Sequence, residues 1–176
     1  SEKRLPQDGR FSLKVKERKI DVRLSTMPVE YGESVVMRLL DQTDGADDLD
    51  QVGMAPEMLE QFRRLIHMPH GLILVTGPTG SGKTTTLYGA LQELNDAGKK
   101  IITVEDPVEY RLHRVNQVQI NTKIGLSFAR ILRAALRQDP DILLVGEIRD
   151  QETALIANLA HQQNCLLYTS PSPRDS

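Results

Sequence analysis

Cysteine and tryptophan are scarce in this sequence: its 176 residues include one cysteine and no tryptophan. A single thiol, Cys165, cannot form a disulfide or a thiolate zinc cluster within the chain. The four histidines are scattered, and the closest two, His67 and His70, lack further ligands at metal-binding spacing. Neither a disulfide-stapled fold nor a metal centre built on these residues is therefore expected.

Long apolar runs and a strong charge bias are also missing. No stretch approaches the roughly 18 consecutive apolar residues of a membrane span, and the N-terminal SEKRLPQDGR has no apolar signal region. We therefore expect a cytoplasmic location. The 22 basic residues nearly balance the 24 acidic ones without a long basic run, so no specific nucleic-acid partner is expected.

The first forty residues carry the alternating pattern of β-strands. Apolar residues alternate with polar ones at Phe11, Leu13 and Val15, and again at Ile20, Val22 and Leu24. A third apolar run, Val35–Leu40, is interrupted only by Arg38, and Arg23 falls on the polar face of its strand. Residues 1–40 are thus predicted to be part of a small β-rich domain.

An acidic segment separates this region from a larger one. Residues 41–53 hold five aspartates and two glycines without periodicity, which is typical of a solvated linker, here placed at 41–55. Pro56 then suits the start of a helix that ends before Pro69. A core domain is predicted over residues 56–164.

In that core, short apolar runs alternate with helical stretches. The apolar runs are Leu72–Thr76, Ile101–Glu105 and Ile142–Val145, and the helical stretches are Lys83–Asn95, Ser127–Arg137 and Asp150–Ala160. Such alternation predicts βα units and an α/β fold with a mostly parallel sheet.

A phosphate-binding loop follows the first of these runs. It matches G-x-x-x-x-G-K-[ST] through Gly77, Pro78, Thr79, Gly80, Ser81, Gly82, Lys83 and Thr84. Glycines let backbone N–H groups surround phosphate oxygens, and the helix N-terminus adds a positive dipole end. We expect Lys83 to neutralise the β- and γ-phosphates of ATP and Thr84 to hold Mg²⁺. A hydroxyl of Thr85 or Thr86 could contact the α-phosphate, or could simply cap or pack the helix.

Two further acidic sites follow apolar runs. Glu147 ends the run Asp141–Gly146, a Walker B arrangement in which it would organise the Mg²⁺ shell through water, although an exposed carboxylate after a strand is the simpler alternative. Glu105, Asp106 and Glu109 surround a proline after the preceding run, and one of them could be a general base. These loops are expected at the same edge of the sheet as the phosphate loop.

Together these segments resemble the traffic ATPases of bacterial type II secretion and type IV pilus assembly, the GspE/PilB family. The resemblance covers about residues 5–160. It rests on DVRLSTMP (21–28), GESVVMRLLD (32–41), GPTGSGKTTTLY (77–88), ITVEDPVEY (102–110) and ALRQDPDILLVGEIRDQETA (135–154). It implies a RecA-like P-loop core preceded by part of the small β-rich domain.

The resemblance also implies roles for single residues. Glu109 is implied as catalytic together with Glu147, with Glu105 and Asp106 in support. Arg23 and Arg38 match arginines that reach the nucleotide phosphates when the two domains close; without the resemblance they would be read as surface ion-pair residues.

For the whole protein, the resemblance implies a Mg²⁺-dependent ATPase that forms a homo-hexamer. It would work at the cytoplasmic face of the inner membrane with platform proteins of the secretion or pilus apparatus. Two alternatives remain open: another P-loop motor such as a DNA translocase, and a nucleotide-binding fragment without turnover.

The last residues break the family pattern. Residues 165–176, CLLYTSPSPRDS, have a Ser/Pro composition that suits neither a sheet strand nor a core helix, so this segment is predicted to be a non-native tail. The His box and four-cysteine motif that the family carries farther on are not in this sequence.

Overall fold

The computed structural model describes residues 4–41, 48–78, 80–95, 98–109, 111–148, 150–162 and 166–171. The chain divides into two compact units, Ser1–Gly45 and Ala46–Ser176. Each unit is built around its own sheet.

The N-terminal unit is a three-stranded antiparallel sheet. Its strands are β1 (Gln7–Val15), β2 (Arg18–Val29) and β3 (Gly32–Asp41), in the spatial order β1-β2-β3. Because side chains alternate between the two faces, Phe11, Leu13, Ile20 and Val22 share one face. Ser12, Asp21, Arg23 and Arg38 share the other, the polar face, together with Val36. On the polar face, Arg10 lies opposite Arg23, which lies opposite Arg38.

The core unit is an α/β layered structure. Its elements in chain order are α1 (Pro56–Ile66), β4 (Gly71–Leu74), α2 (Lys83–Leu94), β5 (Ile101–Glu105), β6 (Asn116–Gln119), α3 (Phe128–Leu136), β7 (Ile142–Ile148), α4 (Gln151–Gln162) and β8 (Leu166–Pro171), with 3₁₀ turns at Leu49–Gln51 and Thr122–Ile124. The five strands pair in parallel in the order β4-β8-β7-β5-β6. The predicted α/β fold with a parallel sheet is confirmed.

Helices cover both faces of this sheet. All five residues of β5 are buried: Ile102 and Val104 pack with α3 and α4, whereas Ile101 packs with α1 and α2. Burying one such side chain is worth about 1.5–3 kcal/mol relative to leaving it in water. The paired strands β5 and β7 therefore form a rigid base whose carboxyl ends carry the acidic loops.

Two predictions are corrected by the structure. Leu49 was assigned to a solvated linker, yet it is fully buried against α2 and Ile66 because it is the one large apolar side chain in an otherwise acidic run. The C-terminal segment was predicted to hold no strand, yet Leu166–Pro171 forms β8 between β4 and β7. Backbone groups form the strand pairs, and the Leu-Leu-Tyr run favours an extended chain despite the serine and prolines nearby. A non-native origin for residues 165–176 stays a prediction.

β6 was not predicted at all, because Asn-Gln-Val-Gln contains a single apolar residue and so shows no recognisable strand pattern. Among the described helices, none is both long and apolar enough to cross a membrane.

Candidate functional site

The phosphate loop joins β4 to α2. Gly82 caps α2 with a left-handed backbone (φ 90°), and its carbonyl accepts the N–H of Thr86 at 3.0 Å. Gly77 also has positive φ, and a Cβ there would lie 2.6 Å from the Ser81 hydroxyl. Glycine is thus required by conformation at Gly82 and by both conformation and space at Gly77.

One side-chain and one backbone hydrogen bond close this loop on itself. The Lys83 ammonium group donates a hydrogen bond to the Gly77 carbonyl, and the Ser81 N–H donates to the Pro78 carbonyl at 3.2 Å. Lys83 therefore lies against the loop whose N–H groups would surround a phosphate. Thr79, a predicted loop residue, lies outside the described residues.

The acidic loops meet the phosphate loop in a small pocket of about 130 Å³. Its lining is Lys83, Thr84, Glu105, Asp106, Pro107, Glu109, Gly146 and Glu147. The start of α2 and the ends of β5 and β7 contribute these residues, because the carboxyl ends of parallel strands lie at one edge of the sheet. Of the predicted site residues, the structure therefore brings together one lysine, one threonine and four carboxylates.

The donor set of this pocket fits a magnesium nucleotide. Hydroxyl and carboxylate oxygens, from Thr84 and Glu147 among others, are the ligand types that Mg²⁺ prefers, directly or through water. Lys83 supplies a positive charge for phosphate oxygens. Thr85, half-buried in the first turn of α2, is not among the residues that line the pocket.

A close approach of two strands shapes the acidic side of the pocket. Gly146 precedes Glu147 in β7, and a Cβ on Gly146 would lie 3.3 Å from both the Glu105 Cα and the Val104 carbonyl oxygen. That spacing is tighter than ordinary van der Waals contact. The glycine thus lets β7 approach the end of β5 and brings Glu147 near the acidic loop.

Glu105 differs from the other carboxylates because it is buried, with 4% of its surface exposed. Its Oε2 accepts hydrogen bonds from the Thr103 hydroxyl at 2.6 Å and from Gln117 Nε2 at 3.4 Å, and its Oε1 accepts one from the Tyr88 hydroxyl. Burial raises the pKa of Glu105, an effect that these hydrogen bonds partly oppose.

Tyr88, which is buried in α2, is not among the site residues predicted from the sequence. Its hydroxyl oxygen accepts a hydrogen bond from the Glu109 N–H at 3.3 Å, while its proton is donated to Glu105. Burial, followed by the negative charge of Glu105, raises the pKa of Tyr88, so the phenol stays neutral. A polar ring on the inner face of an amphipathic helix was the signal that could have identified it.

The two predicted arginines lie on the polar face of the N-terminal sheet. Like charges directly opposite each other destabilise a sheet, and Asp21 offsets part of that cost by accepting hydrogen bonds from Arg10 at 2.6 Å and from the Ser12 hydroxyl at 2.5 Å. The Ser12 hydrogen bond, and then that of Arg10, lowers the pKa of Asp21. That Arg23 and Arg38 reach a nucleotide stays a prediction.

The chain is similar in sequence to known proteins. The model of the family "Type II/IV secretion system protein" matches residues 1–166. Type II secretion system protein E of Dickeya dadantii is 60% identical over 157 residues, covering 89% of the chain and 32% of that protein. Type II secretion system ATPase E of Vibrio cholerae is 59% identical over the same length, covering 31% of that protein. The chain thus spans about a third of the length of these relatives.

A solved structure agrees with the sequence relatives. The pilus retraction motor PilT with bound ADP superimposes with a TM-score of 0.78 and 35% sequence identity, over 95% of the chain and 47% of that structure. Since the family model covers almost the whole chain, the chain belongs to the type II/IV secretion system protein family.

Proposed function

We propose that this chain is the nucleotide-binding part of a Mg²⁺-dependent motor ATPase that powers type II protein secretion or type IV pilus assembly. The observation that carries the proposal is the pocket in which Lys83 and Thr84 face the carboxylates of Glu109 and Glu147. The relatives support the choice of process, because they are named as type II secretion proteins and one is named as an ATPase.

Nucleotide binding would begin at the loop. The N–H groups of Gly80, Ser81 and Gly82, with the positive end of α2, would surround the phosphates, and Lys83 would exchange its bond to Gly77 for a phosphate oxygen. Bound Mg²⁺ would neutralise charge on the β- and γ-phosphates. Thr84 would hold it directly and Glu147 through water, in keeping with their oxygen donors.

Hydrolysis needs a residue that orients the attacking water. Glu105 is a poor candidate because it is buried and already accepts three hydrogen bonds. Glu109 lines the same pocket and is only half-buried, so we assign it the role of general base, with Asp106 in support.

The N-terminal sheet would complete the site. Arg23 and Arg38 share one face and would stabilise negative charge on the phosphates when the two units close on each other. In the whole protein we propose a homo-hexamer on the cytoplasmic face of the inner membrane, where closure would be transmitted to platform proteins of the apparatus. A role in DNA translocation finds no support in the names of the relatives.

Two substitutions in the whole protein test this function. Lys83→Ala should weaken ATP binding by roughly 100-fold or more, because it removes the charge that faces the phosphates. Glu147→Gln should keep ATP binding within about threefold but lower kcat by roughly 100-fold, because it alters the Mg²⁺ and water arrangement on which only the transition state depends.

Isothermal titration with ATP and a phosphate-release assay measure the two effects. Wild-type turnover in the Glu147 variant would contradict the proposal. Binding without turnover in the unsubstituted whole protein would support a nucleotide-binding role in place of a motor.

A further inference from the structure

Tyr88 connects the phosphate-loop helix to the acidic loop. It lies in α2, whose first residues are Lys83 and Thr84, and its ring is fully buried. Its hydroxyl lies between the Glu105 carboxylate and the Glu109 N–H and is hydrogen-bonded to both. The helix that would hold the nucleotide thus contacts the backbone of the proposed general base.

The chain that follows β5 is held at a second point. The Leu112 N–H donates to Gln117 Oε1 at 2.8 Å, and the same amide directs its Nε2 to Glu105 at 3.4 Å and to the Tyr88 hydroxyl at 3.5 Å. Glu109 and Leu112 are therefore both anchored to one buried group of polar side chains. Tyr110, between them, lies outside the described residues.

The direction of the hydrogen bonds follows from the donor atoms. The Tyr88 hydroxyl donates its single proton to Glu105 Oε1. The lone pairs of the phenol oxygen are then available to the Glu109 N–H. Loss of the Glu105 carboxylate would leave the buried Tyr88 hydroxyl without its acceptor. Loss of the Tyr88 hydroxyl would remove its hydrogen bond with the Glu109 backbone.

We propose that Tyr88 and Glu105 are positioning residues that hold the backbone at Glu109, so that its carboxylate is directed into the pocket beside Lys83 and Glu147. This inference rests on the proposed function, which assigns Glu109 to the reaction. Tyr88 and Glu105 act through Glu109 and make no contact with the water themselves. They contribute to the chemical step and little to nucleotide affinity.

The test is Tyr88→Phe in the whole protein, with Thr103→Val as the matched control. Both changes remove a hydroxyl that donates to Glu105, but only Tyr88 also binds the Glu109 backbone. Tyr88→Phe should lower kcat about 10- to 100-fold, since a displacement of about 1 Å can have an effect of that size. KM for ATP and the Kd of ATP should stay within about twofold of wild type. Thr103→Val should keep kcat within about threefold of wild type.

Glu105 variants provide a second measurement that does not depend on the folding of Tyr88→Phe. Glu105→Asp keeps the charge but withdraws the carboxylate by one methylene, so it should reproduce the loss of kcat. Glu105→Gln keeps one acceptor oxygen at the same reach and should lose less kcat than Glu105→Asp. Wild-type kcat in Glu105→Asp, or an equal loss in Tyr88→Phe and Thr103→Val, overturns the inference.

Glu109→Gln separates this inference from the proposed function. If Glu109→Gln loses turnover while Tyr88→Phe keeps it, only the positioning role is wrong. If Glu109→Gln itself turns over ATP like wild type, the assignment of Glu109 is wrong, and the positioning role is overturned with it.

Discussion

The N-terminal sheet and the core unit each bury a carboxylate, under opposite electrostatic conditions. In the sheet, hydrogen bonds from the Ser12 hydroxyl and then from the Arg10 guanidinium group lower the pKa of Asp21. In the core, Glu105 accepts hydrogen bonds from neutral donors only, among the residues the structure describes, and its pKa is raised. Burial raises the pKa of both carboxylates; hydrogen bonds outweigh it at Asp21 and do not outweigh it at Glu105.

The two units surround these carboxylates with different charged groups. The sheet gathers three arginines on one face, so its buried carboxylate reduces repulsion between cations. The core gathers carboxylates around Lys83, and Glu105 there forms hydrogen bonds with neutral side chains that hold the acidic loop. We expect the sheet to stabilise charge in the transition state, and the core to provide both nucleotide affinity and the general base.

The largest expected effect tests that division of roles. Arg23→Gln and Arg38→Gln in the whole protein should each lower kcat by roughly 1000-fold, the lower end of the range for arginines that stabilise phosphoryl transfer, and leave the Kd of ATP within about threefold. Arg18→Gln is the matched control, because Arg18 lies in the same strand on the opposite face. Turnover and ATP titration measure both quantities. A weakened Kd with unchanged kcat would assign these arginines to ground-state binding.

A smaller effect is expected at the carboxylate of the sheet. Asp21→Asn should lower the stability of the N-terminal sheet by about 1–2 kcal/mol at pH 7, because it replaces charge-assisted hydrogen bonds by neutral ones. Since the pKa of Asp21 is lowered in the folded state, this stabilisation is present above its ordinary value of 3.8 and is lost as the pH falls through the folded value. Urea unfolding at pH 7 and pH 3 measures it, with exposed Asp8→Asn as control. An equal loss at both pH values would contradict the charge argument.

The smallest effect is expected at the core carboxylate, where a neutral substitution should raise stability and not lower it. Glu105→Gln should raise stability by about 1 kcal/mol at pH 7, because it relieves the burial of a charge. The raised pKa means that wild type loses stability as the pH rises from the ordinary value of 4.5 through the folded value, so the gain should vanish below that range. Thermal unfolding across pH 4 to 8 measures it, with exposed Glu57→Gln as control. A loss of stability at pH 7 would show that the hydrogen bonds outweigh burial.

Much of the fold could be predicted from local patterns. The hairpins of the N-terminal sheet alternate with period two, and the phosphate loop is defined by glycines that adopt positive φ before a helix. The errors fall where burial or pairing comes from distant segments. Leu49 is one of few apolar residues in an acidic run, β6 has one apolar residue, and β8 is held by two neighbouring strands.

The residues of the candidate site also differ in whether the sequence could predict them. Lys83, Thr84 and Glu147 could be predicted because each follows a recognisable strand or loop pattern. Tyr88 was indicated only by a polar ring on the inner face of α2, and Gln117 by no local pattern, since their partner Glu105 is distant in sequence from both. Their role depends on which side chains the sheet brings together.

The sequence by itself determined the secondary structure around the phosphate loop, the class of fold and the family, because these depend on spacing and alternation along the chain. Only the tertiary structure decided that Glu105 is buried while Glu109 and Glu147 line a pocket with Lys83. The parallel order of the sheet is the physical reason. It places β5 beside β7, so that residues far apart in sequence share one edge and one electrostatic environment.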